Sequence, residues 1–313
     1  MRLLPLLLVL ALVLGVIALT AVAARRPFAD HQATVTGALR HAGRISAAAL
    51  VVGLAAGAAT GWVALMSRFT GDAVPGRLGV AVISVPLAFG MASTGTVLLG
   101  ELTWPRPAGD VRRARLVRRG LLDASPRWLL RLAVGTLVSG LAVVVAGALT
   151  AGPDGRTVTV PAGADSVQGA ASPYAGAEYG VPTATGLIGL AVLAVGALWA
   201  VAHRPALGTA DEQVERLLRQ ASAHRVLRGA TAAALVAVGG LLAVSGQSLR
   251  NAATGAAATA TANDLPVGTA ATVLPWVGGL LSLVGVLGMI AGVAVLGARA
   301  PRVPADALPT GGR

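Results

Sequence analysis

The stretch that decides the fold is LGVAVISVPLAFGMASTGTVLL (78–99), which continues directly into GELTWPRPAGDVRRARLVRR (100–119). The first part is free of charge for 22 residues, and the second brings a carboxylate, a Trp, an Arg-Pro step and a cluster of Arg. A helix of about 20 apolar residues crosses a hydrocarbon core of roughly 30 Å. The pattern therefore predicts a transmembrane helix and its exit into a basic interfacial segment. The same exit recurs as Arg26-Pro27, Arg204-Pro205 and, with one residue inserted, Arg299-Ala300-Pro301. Pro ends a helix readily and Arg can anchor its end at headgroup level.

Working outward, seven runs qualify as spans: 3–23, 47–66, 78–99, 129–149, 185–201, 229–246 and 273–296. The fold class expected is all-α, a polytopic membrane protein of about seven transmembrane helices forming a single transmembrane domain over 1–313. An apolar fraction of 55 % and a mean hydropathy of +0.74 agree with this and not with a soluble chain of 313 residues. The first span resembles a signal peptide in its Ala21-Val22-Ala23 end, but its apolar run is too long for one, so retention is expected. The net charge of +12 would suggest nucleic acid in a soluble protein; here most Arg lies beside apolar runs, so no nucleic acid is expected. The chain has no Lys and no Cys, which removes thiolate metal sites, disulfides and the phosphate-loop Lys.

Basic residues near span ends remain in the cytoplasm. Twenty of the 25 Arg fall in the loops after spans one, three and five, at the entry to span four, or in the tail 298–313; five fall on the opposite side. This predicts the cytoplasmic membrane, with the N-terminus outside and the C-terminus inside. Trp62 and Trp276 then mark outer ends, and Trp104, Trp128 and Trp199 inner ends. The outer loop 151–182 reads as irregular apart from a strand-like alternation in Arg156-Thr-Val-Thr-Val160. The tract 248–272 reads as an Ala/Thr-rich loop with a turn at Asn263-Asp264-Leu265-Pro266. Inside, Val214, Leu217, Leu218 and Ala221 lie at helical spacing after a capping box at Thr209–Glu212, predicting a surface amphipathic helix with Glu212, Glu215, Arg216 and Arg219 on its polar face. The segments 33–44 and 111–122 are weaker counterparts.

Aligning the exits suggests three parallel helical-hairpin repeats plus a terminal helix, with independent reuse of the Arg-Pro signal as the alternative. Gly53, Gly57 and Gly61 in span two, and Gly288 and Gly292 in span seven with Gly285 beside them, are spaced for close helix packing, expected within one chain.

No span carries an ionisable residue near its centre. The nearest is Glu101, for which an interfacial position is expected, with Arg131 as its partner on entry to span four. Glu101 and Arg131, together with Arg106, Arg112, Arg113, Arg115, Arg118 and Arg119, form the candidate inner-face interaction site; the Arg cluster is suited to anionic lipid at the inner leaflet or to a protein partner. Ser93, Thr94, Thr96, Ser245 and Gln247 are the polar residues within spans, explained by interhelical hydrogen bonds. His31, His41, His203 and His224 are expected as solvated loop residues, without metal-ligand spacing. No nucleophile motif or intramembrane acid pair is present, so no catalytic residue, metal or cofactor is expected.

The all-Arg, Cys-free composition and the junction Gly100-Glu-Leu-Thr-Trp-Pro-Arg-Pro107 resemble uncharacterised multi-pass integral membrane proteins of GC-rich actinobacteria. The resemblance implies no activity and supplies no site residues. The expected role is a non-enzymatic structural, accessory or partner-binding component that contacts the lipid bilayer and either a protein partner or further copies of itself. The alternative is a carrier or permease subunit for an apolar or neutral small solute, which requires a polar path past Ser93 and Thr96.

Overall fold

The computed structural model describes residues 35–66, 77–104, 120–163, 167–206 and 212–300. Its elements are α1 (Val35–Met66), α2 (Arg77–Leu102), α3 (Arg127–Thr150), β1 (Val158–Pro161), β2 (Gln168–Ala171), α4 (Ala177–His203), α5 (Glu212–Ala262) and α6 (Thr269–Leu296). All six helices are long and apolar enough to cross a membrane. The expected span 3–23 lies outside the described residues, as do the segment 105–119, the capping residue Thr209 and the tail from 301 onward.

The helices alternate in direction. Phe89 of α2 packs on Gly53 of α1 while Ile45 meets Gly100, so the pair is antiparallel. Leu87 meets Gly186 and Leu98 meets Gly196, so α2 and α4 run parallel. Helix α5 runs against α2 through Ala233 on Gly90 and against α6 through Gly246 on Gly278. The ends of α1, α3 and α5 that start the helices therefore gather with the ends of α2, α4 and α6 that finish them, and the basic residues collect there.

Helix α5 organises the rest. Its 51 residues amount to about 76 Å at 1.5 Å per residue, more than twice a hydrocarbon core. It packs against α2, α3, α4, α6 and both strands. The expected amphipathic segment and the expected span 229–246 are thus one continuous helix. The tract 248–272 is helical as far as Ala262, not a loop. Ala has the highest helix propensity, and here it also has a partner: Ala252, Ala253, Ala256 and Ala260 form one buried stripe beneath Val158 and Val160 of the hairpin. The expected turn is present, with Asp264 at φ 54°.

The described residues of the loop, 151–163 and 167–182, include a hairpin and the start of a helix where irregularity was expected. Strands β1 and β2 pair antiparallel, Val158 opposite Ala171 and Pro161 opposite Gln168, and α4 begins within it at Ala177. Gly169 lies so close to the carbonyl of Ala252 that a side chain there would collide with the α5 backbone. The Asp154 carboxylate organises the approach to β1. It accepts hydrogen bonds from the hydroxyl of Thr157 and from the backbone N–H groups of Arg156 (3.1 Å) and Thr157 (3.0 Å). Chiefly the Thr157 hydroxyl, and then the Arg156 N–H, hold its pKa down to about 2.

Helices α5 and α6 approach each other backbone to backbone. A Cβ at Gly246 would lie 2.5 Å from the Gly278 carbonyl oxygen, and one at Gly278 would lie 2.5 Å from that of Gly246. Gly285 approaches Gly239 in the same way, and Gly292 sits over the Ala232 carbonyl. The α6 seam therefore repeats every seven residues, through Gly278, Gly285 and Gly292, a spacing suited to two helices that wrap gently around each other. Gly288 is looser, 3.6 Å from Gly239 Cα. In α1, Gly53 is tight against Phe89, while Cβ atoms at Gly57 and Gly61 would meet Val85 at ordinary distances of 3.6 and 3.9 Å.

Candidate functional site

The polar interior lies where the basic helix ends meet. Glu101 is in the last turn of α2, and its side chain is only 3 % exposed. Arg204 follows α4 as its C-cap in extended conformation, which the next residue, Pro205, favours. That geometry turns the Arg204 side chain inward. It is 1 % exposed, and its Nη1 donates to Glu101 Oε2 at 2.8 Å and to Ser222 Oγ of α5 at 3.1 Å. The guanidinium carbon lies 3.7 Å from the centroid of the Trp104 ring, a cation–π contact. Arg225, one turn beyond Ser222 on α5, donates from Nη2 to Ser222 Oγ at 2.8 Å and lies 3.6 Å from Glu101 Oε1. Its Nη1 reaches back to α1, donating to the Ala42 carbonyl at 3.1 Å. One carboxylate thus joins α2, α4 and α5, and Arg225 extends the tie to α1.

His41 of α1 completes this layer. Its Nε2 is 3.0 Å from the Gly100 carbonyl, which can only accept, so Nε2 carries the proton. The ring stands edge-on to Trp104 at 5.7 Å. Around them Val35, Ala38 and Ala42 of α1 meet Val214 and Leu218 of α5 on Trp104. The apolar faces of the two amphipathic segments therefore bury each other.

A second ion pair closes the end of α4. Arg219 Nε donates to Glu215 Oε1 at 2.8 Å, Nη1 to the carbonyls of Val201 and Ala202 at 2.8 Å each, and Nη2 to that of Arg204 at 2.9 Å. The last carbonyls of a helix lack intrahelical donors and carry partial negative charge. A guanidinium meets both needs with its planar fork of donors.

These positions revise several expectations. Glu101 is buried within the protein, and it pairs with Arg204 and Arg225, while its expected partner Arg131 is exposed. Arg106, Arg112, Arg113, Arg115, Arg118 and Arg119 lie outside the described residues. Of the Arg-Pro exits, Arg204 faces inward and Arg299 is exposed; the other two are not described. Glu215 and Arg219 leave the expected polar face for the interior because they flank the buried stripe of Val214 and Leu218. His41 and His224 are buried, not solvated, and His203 bonds the Trp199 carbonyl in its own helix; His31 is not described. Trp62, Trp128, Trp199 and Trp276 are all exposed, but Trp104 is buried beneath Arg204. Ser93 and Thr96 donate to carbonyls of their own helix, Gly90 and Ala92, and not across helices. An interhelical bond does form at Ser282, to the Ala243 carbonyl at 2.8 Å.

Beside the ion pairs, a cleft of about 60 Å³ is lined by Ser46, Phe89, Ser93, Thr94, Arg225 and Arg228, with Leu50 and Leu296 also on its wall. Among the described residues no three His, Asp or Glu side chains converge as a metal site would require. No protein family, curated protein or solved structure matches this chain.

Proposed function

We propose that this is a polytopic protein of the cytoplasmic membrane, with its N-terminus outside and C-terminus inside, acting as a non-enzymatic structural, accessory or partner-binding component. The observation that carries the reading is the use of the buried charges: Glu101, Arg204 and Arg225 hold four helices to one another. The surface supports a bilayer setting. Leu280, Leu283, Leu287, Ile290 and Val293 of α6 are all exposed on a helix that, among the described helices, packs chiefly on α5, and a face of this kind suits hydrocarbon better than water. The Arg-rich end supports the orientation. The segment Arg112–Arg119 suits contact with anionic lipid or an acidic partner at the inner face, and a duplicated hairpin origin accords with the parallel course of α2 and α4.

A carrier for a neutral solute is the second reading, favoured by Ser93 and Thr94 on the cleft wall. At about 60 Å³ the cleft is well below the roughly 300 Å³ at which small-molecule pockets begin, and Thr96 bonds its own helix. The chain is naturally free of Cys, so single-Cys labelling needs no background variant. With a charged, membrane-impermeant thiol reagent on intact cells, Arg156→Cys should label freely and Arg299→Cys only after permeabilisation. Thr96→Cys should stay unlabelled under both conditions. Labelling of Thr96→Cys that is blocked by a solute would put the carrier first.

A further inference from the structure

We propose that the cleft between α1, α2, α5 and α6 binds one phosphate-type oxyanion, supplied by an anionic phospholipid whose chains lie along Leu50 and Leu296. The first ground is charge. Among the described residues, three Arg of this end, Arg204, Arg219 and Arg225, meet two buried carboxylates, Glu101 and Glu215, and Arg228 lies on the cleft wall about one turn beyond Arg225. Glu215 bonds Arg219, and Glu101 is shared by Arg204 and Arg225. Arg228 has a carbonyl, that of Ala298 at 3.1 Å, where a counter-charge would stand. A partly buried guanidinium that faces a carbonyl and no carboxylate is stabilised by an anion beside it.

The second ground is donors without acceptors. The Nε atoms of Arg225 and Arg228 are buried and make no hydrogen bond, and both residues line the cleft. Thr94 lines it as well; it is 2 % exposed, and its Oγ1 has no partner. Ser46 and Ser93 also line the cleft, with their hydroxyls already donating to the carbonyls of Ala42 and Gly90. Two guanidinium groups and the free hydroxyl of Thr94 make a donor set that recognises tetrahedral oxyanions. The volume of about 60 Å³ holds a few water-sized groups, enough for the phosphodiester of a lipid with the rest of its headgroup left outside the cleft. The third ground is the rim. Leu50 is 53 % and Leu296 38 % exposed, so the cleft opens between apolar side chains that would face acyl chains, and a phosphodiester can enter without its lipid leaving the bilayer.

This inference rests on the bilayer setting proposed above, which carbonate extraction of membranes tests separately: a chain released by carbonate would remove that setting. For the cleft, the full-length protein in a neutral detergent is titrated with phosphatidylglycerol, phosphatidylcholine or inorganic phosphate, and thermal unfolding and bound lipid by native mass spectrometry are read. Phosphatidylglycerol should raise the unfolding temperature and remain bound at one molecule per chain, with phosphatidylcholine well behind. Arg228→Gln should weaken this by about tenfold or more, as loss of a charged hydrogen bond does. Thr94→Val should weaken lipid binding about threefold while leaving the lipid-free protein as stable as before or more so, because the hydroxyl it removes is unpaired there. A purely structural Thr94 would not move these two readouts in opposite directions. Protection by inorganic phosphate equal to that by phosphatidylglycerol would keep the oxyanion site and overturn the lipid as its source. Protection by neither, or protection unchanged in both variants, would overturn the site itself.

Discussion

Replacing Glu101 by Gln keeps the shape of the side chain and removes its charge. In the native protein that charge is bonded to Arg204 at 2.8 Å, faces Arg225 at 3.6 Å and is almost sealed from solvent. The variant leaves two buried guanidinium groups without a carboxylate, and Arg204 already has Nε and Nη2 unpartnered. Removing one member of a buried pair costs about 3–5 kcal/mol, and the second cation places Glu101→Gln towards the upper part of that range. The opposite change, Arg204→Met, breaks the same 2.8 Å bond but leaves Glu101 with Arg225, one charge against one. It should therefore cost less than Glu101→Gln. The double variant should be more stable than the sum of the two losses implies, since the groups share one network. Equilibrium unfolding of the purified protein in mixed micelles, followed by circular dichroism and Trp fluorescence, measures all three. A Glu101→Gln cost below about 1 kcal/mol, as for a solvent-screened pair, or an Arg204→Met cost above it, would refute the assignment of Glu101 as the counter-charge for both cations.

Two further perturbations address other parts of the fold. Gly246→Val should separate α5 from α6 and lower unfolding stability by several kcal/mol, because its Cβ would lie 2.5 Å from a backbone oxygen that cannot yield as a side chain can; Gly57→Ala, at 3.6 Å from Val85, should change stability little in the same assay. At the hairpin, Thr157→Val removes the main cause of the low Asp154 pKa, which should rise from about 2 towards its ordinary 3.8, as read from the side-chain carboxyl carbon shift in Asp-labelled protein. Since the native pKa is depressed, the Asp154 contribution to loop order is fully present above pH 3.8 and fades as pH falls through about 2; an Asp154 titration unaffected by Thr157→Val would contradict the cause assigned to it.

The helices were legible because long apolar runs have few alternatives in a chain of this composition. Their ends were not. The runs 47–66 and 229–246 stop where hydropathy falls, whereas α1 and α5 continue through amphipathic and Ala-rich segments that helix propensity and a packing partner both favour. Strand β1 announced itself through Val158 and Val160, but Gln168-Gly-Ala-Ala171 has no strand pattern of its own; it becomes a strand by pairing with β1 and lying on the Ala stripe of α5. Gly spacings of four drew attention to Gly53, Gly57 and Gly61, while the closest α5–α6 seam uses a spacing of seven and needs both helices to be recognised. At the candidate site, Glu101 stood out in sequence as the acid nearest a span. Its partners did not, because Arg at a span end serves orientation by default, and only the three-dimensional gathering of α2, α4 and α5 separates Arg204 and Arg225 from Arg131.

The distance along the chain between Glu101 and its partners also sets an order of assembly. Arg204 lies 103 residues after Glu101, an interval of about 5–20 s at translation rates of 5–20 residues per second. Through that time α1 and α2 can pair, but the carboxylate in the last turn of α2 has neither Arg204 nor Arg225 beside it. The ion pairs that tie α2 to α4 and α5 can form in full only once the helix that carries Arg225 has been made.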